Sequence, residues 1–297
     1  MNTEGHATKK VTVVGLGQMG STLAKLLLQS GYNVTVWNRT QTKAEALIQA
    51  GAHYEANVSS AIKRSDVIVV CVSDYATTHT ILAGTDKEVF LGKIFIQLTT
   101  GSPQEATTSS TYFTERHAQY LDGAIQVAPD QMAKPDTTIF ISGNSSAFNL
   151  VKELLSVFGG NIKYLGEKVS AASAMDLASL SYLYGALLGF FHAVQIADVE
   201  GFNIELLGEV VKDVSPGYAE FMAYESKVIQ SKNFEITQSP LAISVDATER
   251  IHQASLSYGI NTELSQLMAS FLKRANDAGL ARQELASIVK VFNAHRN

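Results

Sequence analysis

The chain has 297 residues, of which 46% are hydrophobic and 17% are charged, and its formal net charge is −5. This length is sufficient for two domains with hydrophobic cores of their own. Because 28 acidic side chains outnumber 23 Lys and Arg, no basic face is available for nucleic acid, and we predict no such partner.

The N-terminal segment and the single cysteine indicate a cytoplasmic protein. Residues 1–9 contain neither an apolar run nor a cleavage pattern, so they predict a tail rather than a signal peptide. Cys71 lies in the apolar run VIVVCV, which favours a buried structural thiol over a nucleophile. One cysteine cannot form a disulfide within the chain, and no metal site is predicted.

The first predicted elements are a strand, a glycine-rich turn, a helix and a second strand. Val11–Val14 is followed at once by GLGQMG and then by a helical pattern, and Val34–Trp37 forms the second strand. This order within about 30 residues is typical of a dinucleotide-binding site, in which the turn approaches the pyrophosphate and the helix N-terminus donates to it. The predicted cofactor-binding residues of the turn are Gly15, Leu16, Gly17, Gln18, Met19 and Gly20.

The residues after the second strand predict which dinucleotide binds. NAD sites place an acid at this point to bind the ribose hydroxyls. Here the chain has Asn38, Arg39 and Thr40, with Lys43 a few residues later. Two cations without an acid suit the extra phosphate of NADP, so NADPH is the predicted cofactor, although either cation could be ordinary surface charge.

The alternation of strands and helices continues to about residue 166. Further strands are predicted at Asp66–Val72 and Ile94–Thr100, and near 120–127, 137–142 and 162–165, with helices after Ser102 and at 147–158. Ligands of such sheets bind beyond the carboxyl ends of the strands, which adds Val72, Ser73, Thr99 and Thr100 to the predicted cofactor site. Gln97 is either a substrate contact or a side chain that satisfies a backbone group.

Ser170–Val199 is a long, nearly uncharged stretch with helical spacing of its apolar residues. Such a helix must be buried on most sides, so we expect other protein around it, some of it from a second copy of the chain. A membrane span is the alternative by length, but Ser179, Ser181, His192 and Gln195 disfavour it, and no membrane association is predicted. Asp176, a carboxylate on this helix, would lie at a cavity or an interface, where we expect the chemistry.

After Gly201 only helices are predicted, near 204–214, 217–230, 240–258, 262–278 and 285–294. The predicted fold is therefore an α/β Rossmann-type N-terminal domain, a long interdomain helix and an all-α C-terminal domain. The corresponding boundaries are 1–166 for the NADP-binding domain, 167–199 for the helix, and 200–297 for a helical domain that serves substrate binding and dimerisation.

This order of elements resembles the 6-phosphogluconate dehydrogenase and β-hydroxyacid dehydrogenase superfamily, and within it the imine reductases and reductive aminases. The resemblance covers essentially the whole chain. It rests on GLGQMG (15–20), VWNRT (36–40), LTTGSPQEA (98–106) and MDLASLSYLYGALLGFFHA (175–193).

The resemblance also implies catalytic residues. Hydroxyacid dehydrogenases carry a Lys and, four residues later, an Asn on the central helix, and these positions correspond to Asp176 and Leu180 here. Imine reductases are similar to this chain in placing an Asp there, and reductive aminases also place a Tyr eight residues on, which corresponds to Tyr184. Eight residues are about 12 Å and roughly 80° of rotation along a helix, so both side chains could face one cavity. The alternatives are a helix-end charge for Asp176 and a core aromatic for Tyr184.

The resemblance implies NADPH-dependent reduction of C=N bonds in cyclic imines, and reductive amination of carbonyls with amines. It also implies a homodimer whose active sites are shared between the first domain of one chain and the second domain of its partner. Three alternatives stay open at this point: a β-hydroxyacid dehydrogenase-like carbonyl reductase, a reductase of an oxidised biosynthetic intermediate, and a non-catalytic NADPH-binding scaffold.

Overall fold

The fold was obtained as a computed structural model, and residues 10–292 are described. The chain divides into two compact units, one that ends at Ser181 and one that begins at Tyr182. The predicted tail at residues 1–9 and the end of the last predicted helix lie outside the described residues.

The first unit is built on a single eight-stranded sheet with helices between the strands. Its order is β3-β2-β1-β4-β5-β6-β7-β8, and all neighbours are parallel except the antiparallel pair β6–β7. The strands are β1 (Lys10–Val14), β2 (Asn33–Trp37), β3 (His53–Tyr54), β4 (Val67–Val70), β5 (Ile94–Gln97), β6 (Gln119–Ile125), β7 (Thr138–Gly143) and β8 (Asn161–Tyr164). The helices are α1 (Gln18–Gln29), α2 (Glu45–Gln49), α3 (Val58–Lys63), α4 (Tyr75–Leu82), α5 (Pro103–Thr114) and α6 (Ser145–Ser156).

The central strands are buried on both faces, as their unbroken apolar runs predicted. Val67–Val70 and Ile94–Gln97 contain only buried residues, which is the usual state of parallel strands covered by helices on both sides. One apolar cluster packs α1 and α6 against the sheet, and a second, aromatic-rich cluster contains Phe90, Phe95 and Phe113. The predicted Rossmann-type architecture is confirmed.

The start of α5 follows directly from its sequence. The Ser102 hydroxyl accepts from the Glu105 N–H, the Glu105 carboxylate accepts in turn from the Ser102 N–H, and Pro103 occupies the first turn. This capping box satisfies two amides that would otherwise lack partners. It also fixes the chain direction just after the end of β5.

The long predicted helix is α7 (Ala171–Val199), which begins in the first unit and ends in the second. Within a single chain, all residues from Ser181 to Leu188 are exposed. The expectation that a second copy of the chain covers part of this helix stays a prediction. Among the described residues α7 is the one helix long and apolar enough to cross a membrane by length and composition.

The rest of the second unit is helical, as predicted. Its helices are α8 (Ile204–Ser231), α9 (Leu241–Tyr258), α10 (Glu263–Asp277) and the short α11 (Val289–Phe292). Leu241, Leu272, Ala275 and Leu280 form its buried apolar cluster.

Two predicted helices near Pro216 are instead one continuous helix, α8. Proline removes one backbone hydrogen bond, but a helix can continue past it where other hydrogen bonds stabilise the neighbouring turns. Here the Ser215 hydroxyl donates to the Val211 carbonyl, one turn earlier, at 2.5 Å. The last predicted helix likewise differs, since 285–288 is a 3₁₀ turn that precedes α11.

Candidate active site

The glycine turn after β1 is tightly packed against the neighbouring strand. Gly15 has φ +97°, and a Cβ there would lie 2.2 Å from the Cys71 carbonyl oxygen. A Cβ on Gly20 would lie 2.0 Å from the Gly15 carbonyl oxygen. Both positions therefore require glycine, and together they bring the start of α1 close to the end of β1.

A cleft of about 760 Å³ opens at this turn, within the roughly 300–1,000 Å³ typical of small-molecule sites. A Cβ on Gly17 would meet nothing within 4 Å, so the backbone at this glycine is open to a ligand. Gly17 is also the N-cap of α1, and no side chain accepts a capping hydrogen bond from the first-turn amides. An open turn followed by uncapped helix amides suits a pyrophosphate, so the residues fit a dinucleotide. All six predicted residues of the turn line the cleft.

The loop after β2 lines the same cleft with two cations. Arg39 and Lys43 are exposed, and neither forms an ion pair with an acid of the described residues. The Asn38 side chain joins this loop to the glycine turn, since its Oδ1 accepts from the Leu16 N–H at 3.0 Å and its Nδ2 donates to the Thr40 carbonyl at 2.9 Å. Asn38 therefore orders the site, while the cations supply its positive charge.

The carboxyl ends of β4 and β5 are joined at this edge. The Val72 N–H donates to Thr99 Oγ1 at 3.1 Å. Val72 and Ser73 line the cleft, whereas the buried Thr99 supports Val72 and the exposed Thr100 follows it along the chain.

Sequence reasoning missed the contribution of α4 to the cleft. The missed lining residues are Thr77, Thr80 and Ile81. The sequence does contain a signal for the start of α4, because Asp74, directly after Ser73, is a residue type strongly preferred at helix N-caps. In the structure its Oδ1 accepts from the Thr77 N–H at 2.6 Å. Trp37 and Cys71 also line the cleft, and burial raises the pKa of the Cys71 thiol to about 11, so it is protonated at neutral pH.

Gln97 lies inside the sheet. Its side chain is fully buried and donates from Nε2 to Thr78 Oγ1 at 2.9 Å. These contacts show a structural role, and the predicted substrate contact stays a prediction.

Asp122, paired with Gln97 across β5 and β6, is a buried carboxylate that sequence reasoning did not single out. The Tyr75 and Tyr120 hydroxyls both donate to its Oδ1. Burial raises the pKa of Asp122 to about 6, and these hydrogen bonds partly offset the effect.

Asp176 is 5% exposed, near the start of α7. Its Oδ1 accepts a hydrogen bond from Gln126 Nε2 at 2.7 Å. Gln126 directly follows β6, which runs parallel to β5, β4 and β1, so it lies at the same sheet edge as the glycine turn. A buried carboxylate at the edge that carries the dinucleotide cleft suits a cationic ligand group.

Tyr184, the other predicted catalytic residue, belongs to the second unit. Its side chain is 62% exposed, so the core-aromatic alternative does not hold within one chain.

Comparison with known proteins identifies the family. The NAD binding domain of 6-phosphogluconate dehydrogenase matches residues 10–166, and the C-terminal domain of the NADPH-dependent reductive aminase-like proteins matches residues 169–294. The structure of an imine reductase from Myxococcus stipitatus in complex with NADP+ is 34% identical, with a TM-score of 0.87 over 96% of this chain and 100% of that chain.

The chain belongs to the imine reductase and reductive aminase family. A reductive aminase from Aspergillus terreus, in complex with NADPH4, cyclohexanone and allyl amine, is 30% identical with a TM-score of 0.86, over 96% of this chain and all of that one. An NADPH-dependent reductive aminase from Aspergillus oryzae is 26% identical over 98% of this chain and 99% of its own length. This imine reductase family member is an oxidoreductase that uses NADPH, as its cleft and its uncompensated cations predicted.

Proposed function

We propose that the enzyme reduces the C=N bond of cyclic imines, and of imines formed from a carbonyl compound and an amine. The observation that carries this proposal is the buried Asp176 carboxylate at the carboxyl edge of the sheet, where the NADPH cleft also lies. The Aspergillus terreus relative, which binds a ketone together with an amine, supports the second substrate class.

A carboxylate suits imine chemistry because a protonated imine is a cation and a far better hydride acceptor than a neutral one. At about 4 Å and an effective dielectric constant near 20, the attraction between the two charges is on the order of 4 kcal/mol before desolvation. When bound, NADPH supplies the hydride to the imine carbon. Asp176 stabilises the positive nitrogen or delivers its proton, directly or through a water, and Tyr184 orients the nitrogen.

The same residue disfavours the carbonyl alternative. Hydride transfer to a carbonyl develops an alkoxide, which needs a proton donor such as lysine. A carboxylate placed to stabilise a cationic nitrogen would instead repel the negative charge of an alkoxide. We therefore expect carbonyl compounds without an amine to be poor substrates.

The test is NADPH oxidation with a panel of substrates. We expect turnover of cyclic imines and of a ketone with a primary amine, and little turnover of the ketone or of a 3-oxo acid alone. Comparable turnover of the 3-oxo acid would favour a hydroxyacid dehydrogenase. NADPH binding without turnover of any compound would favour the non-catalytic scaffold.

We also propose that the enzyme is a homodimer in which the exposed surface of α7 is covered by the second copy. Eight consecutive residues, 181–188, are exposed, so more than two turns of this helix are bare on every side. The exposed apolar side chains include Tyr182, Leu183, Tyr184, Leu188 and Phe191. Such a surface exceeds what a soluble monomer leaves uncovered, and a flat partner could not cover all sides of a helix.

In this dimer each active site combines the first domain of one chain with the helical C-terminal domain of its partner.

The polar residues His192 and Gln195 on α7, and the single free thiol of Cys71, support a cytoplasmic enzyme without membrane contact.

A further inference from the structure

Gln126 connects Asp176 to a second polar residue, Ser179. The Ser179 hydroxyl lies 2.7 Å from Gln126 Oε1 and 2.9 Å from the Asp176 carbonyl oxygen. Gln126 Nε2 donates to Asp176 Oδ1 at 2.7 Å. The three side chains belong to the first unit and form one chain of hydrogen bonds that ends on the carboxylate.

The carboxylate determines which end of the amide faces Asp176. A carboxylate oxygen accepts hydrogen bonds, so the NH₂ end of Gln126 points to it, and the oxygen end is left to accept from the Ser179 hydroxyl. Asp176 Oδ2 accepts no hydrogen bond from the residues that the structure describes, so this oxygen is left for a ligand.

We propose that Gln126 is a positioning residue, which holds the Asp176 carboxylate through Oδ1 and presents Oδ2 to the nitrogen of the substrate. The proposal rests on the function proposed above for Asp176. Gln126 thereby favours substrates whose nitrogen arrives as a cation or carries an N–H, because both bind a carboxylate oxygen.

The side chain of Gln126 is not needed to hold its own backbone. Its N–H already donates to the Thr138 carbonyl at 3.1 Å, which continues the β6–β7 pairing beyond the last strand residue. The side chain is only half-buried, so methionine, with a similar length and no donor, can replace it without leaving a cavity. Substitution therefore removes the hydrogen bonds and leaves the fold intact.

The first experiment measures kcat and KM of Gln126→Met with a permanently charged N-alkyl iminium substrate, which needs no proton. Since Oδ1 loses its donor and the carboxylate is no longer held in place, we expect kcat to fall by about tenfold or more, while KM changes by less than about threefold. Gln126→Glu should lower kcat further, because it places acceptor oxygens instead of a donor beside Asp176.

Gln104→Met, on the exposed side of α5, makes the same substitution at a position whose side chain forms no hydrogen bond with the residues that the structure describes, and it should match wild type. NADPH affinity and the melting temperature show that each variant is folded.

The second experiment repeats Gln126→Met in an Asp176→Asn background. We expect less than about a twofold further loss there, because Gln126 acts through the carboxylate. An equal loss in both backgrounds would overturn the proposal in favour of a structural role. Wild-type kcat in Gln126→Met, while Asp176→Asn is impaired, would overturn it as well. If Asp176→Asn retains full turnover, the proposed function of Asp176 fails, and this inference fails with it.

If Gln126→Met is unstable, Ser179→Ala provides the second test. It frees the oxygen end of the amide and leaves Gln126 in place, so a smaller loss of kcat with KM nearly unchanged is expected. Unimpaired kcat in Ser179→Ala would contradict the proposed chain of hydrogen bonds.

Discussion

Asn38 and Leu16 are joined by a hydrogen bond of 3.0 Å, from the Leu16 N–H to Asn38 Oδ1. The same asparagine donates to the Thr40 carbonyl, so one side chain holds both the glycine turn and the loop that carries Arg39. The ordering of the turn and the charge of the loop are therefore separate contributions to cofactor binding, and substitutions should separate them.

Asn38→Ala should weaken NADPH and NADH by the same factor. The substitution removes the hydrogen bond that holds the glycine turn, and both cofactors bind at this turn. We therefore expect the affinity for each cofactor to fall by about tenfold. Titration of protein fluorescence with each cofactor measures this. A loss confined to NADPH would mean that Asn38 acts on the 2′-phosphate instead.

Arg39→Ala should discriminate between the two cofactors. The guanidinium is exposed in the cleft and has no acidic partner within residues 10–292, so removing it should raise the KM for NADPH by roughly tenfold or more and leave the KM for NADH nearly unchanged. Lys25→Ala, an exposed lysine of α1, is the matched control and should leave both values unchanged. Equal wild-type efficiency with NADPH and NADH would contradict the assignment.

The local signals in the first half of the chain were strong enough to predict its fold. The turn from Gly15 to Gly20 is constrained by backbone contacts that only glycine tolerates, and the strands on either side are unbroken apolar runs. Cofactor residues at strand ends could be predicted because parallel strands bring their carboxyl ends to one edge.

Long-range contacts between side chains could not be predicted. Gln126 and Asp176 are 50 residues apart, and no periodicity indicates that their side chains meet. Pro216 marked a helix break by its chemistry, yet the turns on either side of it carry the helix through. The apolar stretch of α7 predicted that other protein surrounds it, but the sequence alone could not show which part of the helix its own chain leaves exposed.

The buried carboxylate of Asp122 should make stability depend on pH. Burial raises the pKa of Asp122 from 3.8 to about 6, so between these values the folded state binds more protons than the unfolded state. The free energy of unfolding should therefore decrease as pH rises from about 4 to about 6, by on the order of 3 kcal/mol from this group.

Denaturant unfolding of wild type and Asp122→Asn across this range isolates the effect. As pH rises, the unfolding free energy of wild type should fall relative to that of the variant, because asparagine does not titrate. The asparagine oxygen can still accept hydrogen bonds from Tyr75 and Tyr120. Parallel curves for the two proteins would show that Asp122 does not titrate in this range.

Dimer formation should depend on the exposed apolar side chains of α7. Leu188 is 58% exposed, in the segment 181–188 of α7 that is bare on every side, so Leu188→Glu should place a charge inside the proposed interface and dissociate it. Leu150→Glu is the matched control, because Leu150 is 67% exposed on α6 and lies outside α7. Light scattering should report a dimer for wild type and for the control. An active wild-type monomer of 32.0 kDa would contradict the proposal.

Asp176→Ala should lower imine turnover by about 100-fold or more, the usual contribution of a group that handles a proton or charge at the reacting atom. NADPH affinity should survive, because the cleft is built from the glycine turn and the ends of β2 and β4. Asp176→Asn keeps the size of the side chain and loses its charge, so its activity should fall as well if charge stabilisation dominates. A permanently charged iminium should lose less than a neutral imine if Asp176 mainly delivers a proton, and as much if it mainly stabilises charge. The helix-end alternative predicts instead a loss of about 1 kcal/mol of stability with turnover nearly intact, and that outcome would leave Tyr184 as the residue to substitute next.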